Sequence, residues 1–201
     1  MPRNNRVTPY GQLIAVPDRG MFLGFRGVLH DDQGNVVRFA AGKAWAICAL
    51  EFKGRRRPLW APGRLTELFF LDEATGLAAG HRPCGECRYR AYASFKRAWA
   101  ATHPGQPAGA PAIDAGLHTD RLSGPGVRRT FDADAGELPD GAMAELDGRY
   151  WLVRGGTLLA WSPGGYGERR PARGQVTAIT PRSTVAVLAA GYQPVLHSSA
   201  A

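Results

Sequence analysis

Between residues 20 and 50 the apolar residues come in short runs separated by polar turns, the rhythm of strands. "GMFLGFRGVLHDDQGNVVRFA" places two apolar runs on either side of "DDQGN", a turn-rich hairpin signal. "AWAICALEF" is a further short run that stops at the basic cluster "KGRRRP". In "LTELFFLDEATGLAAG" the "LFF" reads as a strand end. Asp72 then stands as the N-cap of a short helix that Gly80 closes. A longer helix is expected from about Arg88 to Thr102, ended by "HPG". Along it Tyr89, Tyr92, Phe95 and Trp99 recur at helical spacing and share a face that reads as core, while Arg90 and Arg97 share another with Lys96 nearby.

Residues 104–113, "PGQPAGAPAI", have little to bury and read as a Pro/Gly linker or surface loop. After "DAGLHTDRL" the pattern turns β-rich. "AMAEL", "RYWLVR", "TLLAWS" and "QVTAIT", punctuated by Asp147-Gly148 and Gly155-Gly156, predict a small antiparallel meander. Thr180 and Pro181 open a last helix and Gly191 ends it. The expected fold is α+β: N-terminal strands with a zinc knuckle and one amphipathic helix, then the meander and a C-terminal helix. The boundaries are a basic region over 1–103, the linker, and a β-rich region over 114–201, with one compact domain as the alternative.

At 201 residues the chain can bury a core, and 44% hydrophobic with 21% charged residues is an ordinary globular balance. No apolar run approaches the roughly 20 residues of a membrane span, and the basic N-terminus has no apolar stretch behind it, so a cytoplasmic protein without a membrane partner is expected. The net charge is +8, carried by 22 Arg and 3 Lys. Residues 51–100 hold ten of these cations against five acids, so the charge gathers around the cysteines. That clustering points to a polyanion, with nucleic acid, DNA before RNA, as the partner. Lys53, Arg55, Arg56, Arg57, Arg88, Arg90 and Arg97 are the candidate phosphate contacts.

Of the three cysteines, Cys84 and Cys87 form a CxxC in "HRPCGECR" and Cys48 lies upstream. A CxxC turn offers two thiolates to one face of a tetrahedral metal. The same spacing ahead of a helix also suits redox chemistry, and a metal-free knuckle of buried thiols is the third reading. "LFFLDEATGLAAGHRPCGECR" resembles the second half of the Ada-type zinc-binding domain, through Glu73, Ala74, Gly80, Arg82, Pro83, Cys84, Cys87 and Arg88. His81 stands where that family carries Phe or Tyr. The resemblance implies Zn2+ and a further ligand pair upstream. Here Cys48 is the one upstream cysteine, and its neighbours four residues away, Ala44 and Phe52, are not ligands. The fourth-ligand candidates are therefore His81, which would make an HxxCxxC cluster, then His30, His103 and His118.

Asp114, His118 and Arg121 fall at i, i+4 and i+7, so a helix would put them on one face as a candidate carboxylate, general base and anion-stabilising cation. Three functions follow from these patterns. The first is a zinc-containing nucleic-acid-binding protein. The second is an enzyme on nucleic acid, using that triad or an alkyl-accepting zinc thiolate at Cys48. The third is a protein–protein adaptor with a structural zinc.

Overall fold

The computed structural model describes residues 2–54 and 59–201. It is α+β. The first part gives β1 (Arg6–Val7), β2 (Leu13–Ile14), β3 (Phe22–Phe25), β4 (Ala46–Cys48) and β5 (Leu68–Phe70), followed by α1 (Glu73–Ala78), β6 (Arg82–Pro83) and α2 (Tyr89–Thr102). These strands form one mixed sheet in the order β2-β1-β5-β3-β4-β6. β4 pairs antiparallel with β3 and parallel with β6. A parallel neighbour needs a crossover, and here the crossover carries β5 and α1. Gly24 lets β3 pass Phe70, since a Cβ there would stand 2.2 Å from the Phe70 ring.

The hairpin expected around "DDQGN" shrinks to a single bridge, His30 with Val36. The Asp31 carboxylate accepts the N–H groups of Gln33 and Asn35 at 3.0 and 2.8 Å and makes the turn. Beyond it the flanks keep single bonds across the hairpin, Val37 N–H to Leu29 O at 2.9 Å and Ala41 N–H to Arg26 O at 2.7 Å, while Gly27 gives its carbonyl to Thr66. Asp72 caps α1 as expected, accepting Thr75 N–H at 2.9 Å. In α2, Phe95 and Trp99 are buried, but Tyr89 is 66% exposed. Tyr89 opens the helix, ahead of the turns that face the core, and so leaves the apolar stripe.

Next come α3 (Ala110–Arg121), β7 (Leu122–Gly124) and β8 (Val127–Arg128), then β9 (Phe131–Asp134). α3 starts inside the Pro/Gly stretch, with Pro111 in its first turn, where a missing N–H costs nothing. The second sheet is completed by β10 (Met143–Leu146), β11 (Arg149–Arg154), β12 (Thr157–Ser162), β13 (Gly165–Pro171) and β14 (Gln175–Ala178). Its order is β13-β12-β11-β10-β14-β9. The expected meander is present. The two strands its pattern did not predict, "FDAD" and "GYGERRP", are the two edges, where polar sequence is tolerated because one side is not packed by a neighbour. Helix α4 (Arg182–Ala189) follows, and a short 3-10 turn at Ser198–Ala200 comes after it. Thr180 does not cap α4; its hydroxyl accepts Met143 N–H at 2.8 Å, and Ser183 N–H is capped by Asp120 of α3 at 2.9 Å.

The larger of two buried clusters among the described residues spans both sheets, running from Val7, Ile47 and Phe70 through Phe95, Trp99 and Ile113 to Trp151, Val153 and Val187. Among the described residues no helix is long and apolar enough to cross a membrane.

Candidate metal centre

The sheet brings the three cysteines together. Cys48 ends β4, and its partner across β3 is Leu23. β6 runs alongside β4, and Cys84 N–H continues the pairing by donating to Ile47 O at 2.9 Å. Cys87 follows in a tight turn just before α2. The three sulfurs lie within 4.8 Å of one another and can hold a metal ion. Tetrahedral thiolates at about 2.3 Å from a zinc ion are about 3.8 Å apart, so the donor set fits such an ion. Ala49 N–H donates to Cys87 Sγ at 3.3 Å and Glu86 N–H points at Cys84 Sγ from 3.5 Å. These donors and the nearby start of α2 favour sulfur in its anionic form.

The thiols are unequal. A hydrogen bond from Cys48 pulls Cys84 down to about 5, against the opposing effect of burial. The same contact, then burial, pushes Cys48 up, while burial chiefly raises Cys87. Of the three, Cys84 is the one whose surroundings favour the thiolate. A metal taking all three releases the remaining protons.

No histidine or carboxylate among the described residues joins the three sulfurs. His81, expected as fourth ligand, is wholly buried between Trp45 and Phe70, with ring centroids 5.2 and 4.7 Å away. It packs among these rings, and its ring nitrogens have no hydrogen-bond partner among the described residues. Burial, then Arg26, Arg121 and Arg128, hold it well below the usual histidine value. His30 is tied to the Thr66 hydroxyl at 2.7 Å and stacks on Trp60. His103 stacks on Trp99 at 4.1 Å, and His118 sits beside Arg121.

Beside the sulfurs a groove of about 540 Å³ opens, and all three cysteines are part of its wall. The rest is mainly apolar: Leu23, Phe25, Phe69 and the three leucines Leu50, Leu59 and Leu65, which are 49%, 46% and 43% exposed. Buried Glu67 also lines it, accepting Trp60 N–H at 2.9 Å. The sequence signal for this groove was the scatter of leucines around the basic cluster, which the charge reading passed over.

Of the expected triad, Arg121 lies beside His118, Nη2 to Nδ1 3.4 Å apart, while Asp114 makes a two-pronged ion pair with Arg82, at 2.8 and 2.7 Å. Arg121 is wholly buried and donates to the carbonyls of Gly80 and Lys43. Of the three, His118 is the partly exposed one, and burial with Arg121 and Lys43 lowers its pKa. The expected phosphate contacts divide as well. Arg88 is buried against Glu73, whereas Lys53, Arg90 and Arg97 are exposed. Arg55, Arg56 and Arg57 lie outside the described residues.

Comparison of the chain with protein-family models, with curated proteins and with solved structures finds no match.

Proposed function

We propose that Cys48, Cys84 and Cys87 hold Zn2+ with the fourth coordination position turned to the apolar groove, and that this centre works on nucleic acid. The observation that carries this is the set of three clustered sulfurs in the wall of an open groove, with no fourth protein ligand among the described residues. Structural zinc sites close all four positions with protein groups, and three protein ligands with one free position is the pattern of reactive sites. Bound there, zinc would keep the thiolates charged yet nucleophilic and accept a ligand from the groove. The resemblance of residues 68–88 to the Ada-type domain supports the same metal.

Nucleic acid is supported by charge. Phe52 and Leu59, which flank Lys53 to Arg57 in sequence, both line the groove, and Arg90, Lys96 and Arg97 are exposed on α2. A second reading shares the open groove: a thiolate held on zinc would attack an alkyl carbon of the substrate, forming a C–S bond as that carbon's bond to the substrate's oxygen or nitrogen breaks and its electron pair stays with the substrate. Half-buried Cys84 and Cys87 are then better placed than Cys48, which is 8% exposed.

The test is metal analysis of chelator-free protein, followed by replacement with Co2+. An intense visible spectrum that shifts when an exogenous thiol is added is the expected result. No bound metal, or a cobalt spectrum blind to every added ligand, removes the open-centre reading. Salt-sensitive binding of DNA or RNA, measured separately, tests the partner, and a mass gain of one alkyl group on a cysteine tests the second reading.

A further inference from the structure

Two adjoining cavities of about 510 and 790 Å³ share Arg38, Phe39 and Gly126 in their walls. They form a trench distinct from the cysteine groove. Segment 40–46 serves both, with Ala41, Ala44 and Ala46 lining the groove and Ala40, Gly42 and Lys43 lining the trench. No Asp or Glu lines the trench among the described residues, while Arg38, Lys43, Arg128 and His118 do.

Behind this wall the charge goes on. Arg26 and Arg121 are wholly buried and Arg128 is 6% exposed. All their hydrogen bonds to acceptors of known sense end on main-chain carbonyls: Arg26 on Gly11, Arg121 on Gly80 and Lys43, Arg128 on Ala78, Ala79 and Ile179. None forms an ion pair among the described residues. Nε of each, and Nη1 of Arg26, lack a hydrogen-bond partner among the described residues. Arg26 Nη1 is 3.8 Å from where a Cβ on Gly11 would sit, and its guanidinium lies over the Phe39 ring at 4.7 Å. Both Gly11 and Phe39 line the trench. Buried cations short of counter-charge are costly, and burial duly pulls Arg26 and Arg121 down to about 9 and Arg128 to about 10, with Asp114 opposing that effect at Arg121.

We infer that this trench binds the phosphate group of a phosphate-bearing ligand, held by Arg38 and Lys43 at the exposed rim and by Arg128 in the wall. Phosphate fits better than a single carboxylate. It spreads its charge over several oxygens, which suits cations and donors arriving from separate segments. Ser123 adds a hydroxyl, and Gly11, Gly42, Gly124 and Gly126 let main chain approach closely. The inference does not rest on the cysteine centre.

The test uses the full chain with inorganic phosphate and, in parallel, a single-stranded oligonucleotide. Binding is read by calorimetry and by melting temperature, against chloride at equal ionic strength. Saturable binding that raises the melting temperature by mass action is expected. The exposed-rim double variant Arg38→Gln/Lys43→Gln should keep its circular dichroism spectrum and weaken binding at least tenfold. Phosphate alone binding marks a free phosphate or nucleotide ligand. Binding of the oligonucleotide alone, lost in the double variant, marks backbone phosphates; either supports the site. No saturable binding of either, or binding undiminished in the double variant, overturns it. Metal content of the same samples reports on the cysteine centre independently.

Discussion

Arg88, the residue directly after the CxxC, clasps Glu73 with both ends of its guanidinium: Nη1 to Oε1 and Nη2 to Oε2, each 2.8 Å. The side chains are 8% and 1% exposed. Glu73 opens α1, and its oxygens also accept the Tyr192 hydroxyl at 2.6 Å and Val195 N–H at 2.9 Å. Four elements, the cysteine turn, α1, the Phe22 ring under Arg88 and the C-terminal segment, thus meet on one ion pair. An arginine that sequence places among phosphate contacts is an internal brace of the cysteine turn.

Removing one partner strands the other as a buried charge. Glu73→Gln is expected to lose about 3–5 kcal/mol in urea unfolding. The apolar pair Glu73→Leu with Arg88→Met should recover part of that. A loss below 1 kcal/mol for the single variant would mean the brace is not needed.

Cys84→Ser and Cys87→Ser should each take metal content from about one ion per chain toward zero, since three thiolates leave no redundancy. Metal analysis after gel filtration checks this. A variant that keeps a full complement of metal is not missing a ligand.

His81 makes stability depend on pH. Its folded value lies below the unfolded one, so between the two the unfolded chain binds the proton that the folded chain refuses. Its contribution is therefore complete above pH 6.5 and lost as pH falls below it, at up to about 1.4 kcal/mol per unit. His81→Phe, which suits the aromatic cage of Trp45 and Phe70, should flatten that slope and raise stability at pH 5. An unchanged slope would assign the dependence to another group.

Asp114 and His118 lie on the same helix but should respond differently. Asp114→Asn breaks a buried ion pair with Arg82 and is expected to cost about 3–5 kcal/mol. His118→Ala removes a partly exposed ring and should cost under about 1 kcal/mol. A loss for His118→Ala as large as that for Asp114→Asn would mean the ring is held more firmly than its partial exposure implies.

Much of the fold was legible because it is written in local signals. Asp72 three residues before Thr75, the stripe of Phe95 and Trp99, and the left-handed turns at Asp147-Gly148 and Gly155-Gly156 each depend on neighbours within a few residues. The edge strands β9 and β13 escaped because pairing, not apolar pattern, makes them strands. The CxxC was legible as a metal motif and Cys48 as its companion. The choice among the histidines was not, because a histidine's role is set by what surrounds it: His81 is caged by rings and His30 by Thr66.

Taken alone, the sequence determined the thiol donors, the α+β character, the amphipathic helix and the excess of positive charge, since these are properties of residue type and short-range period. Only the tertiary structure decided where the charge acts. Arg82 and Arg88 are consumed by Asp114 and Glu73, which stand 32 and 15 residues away, while Arg26, Arg121 and Arg128 converge behind a trench that no local pattern announces. A cation's task depends on whether the fold gives it a carboxylate, a carbonyl or open water, and that is settled by segments distant in the chain.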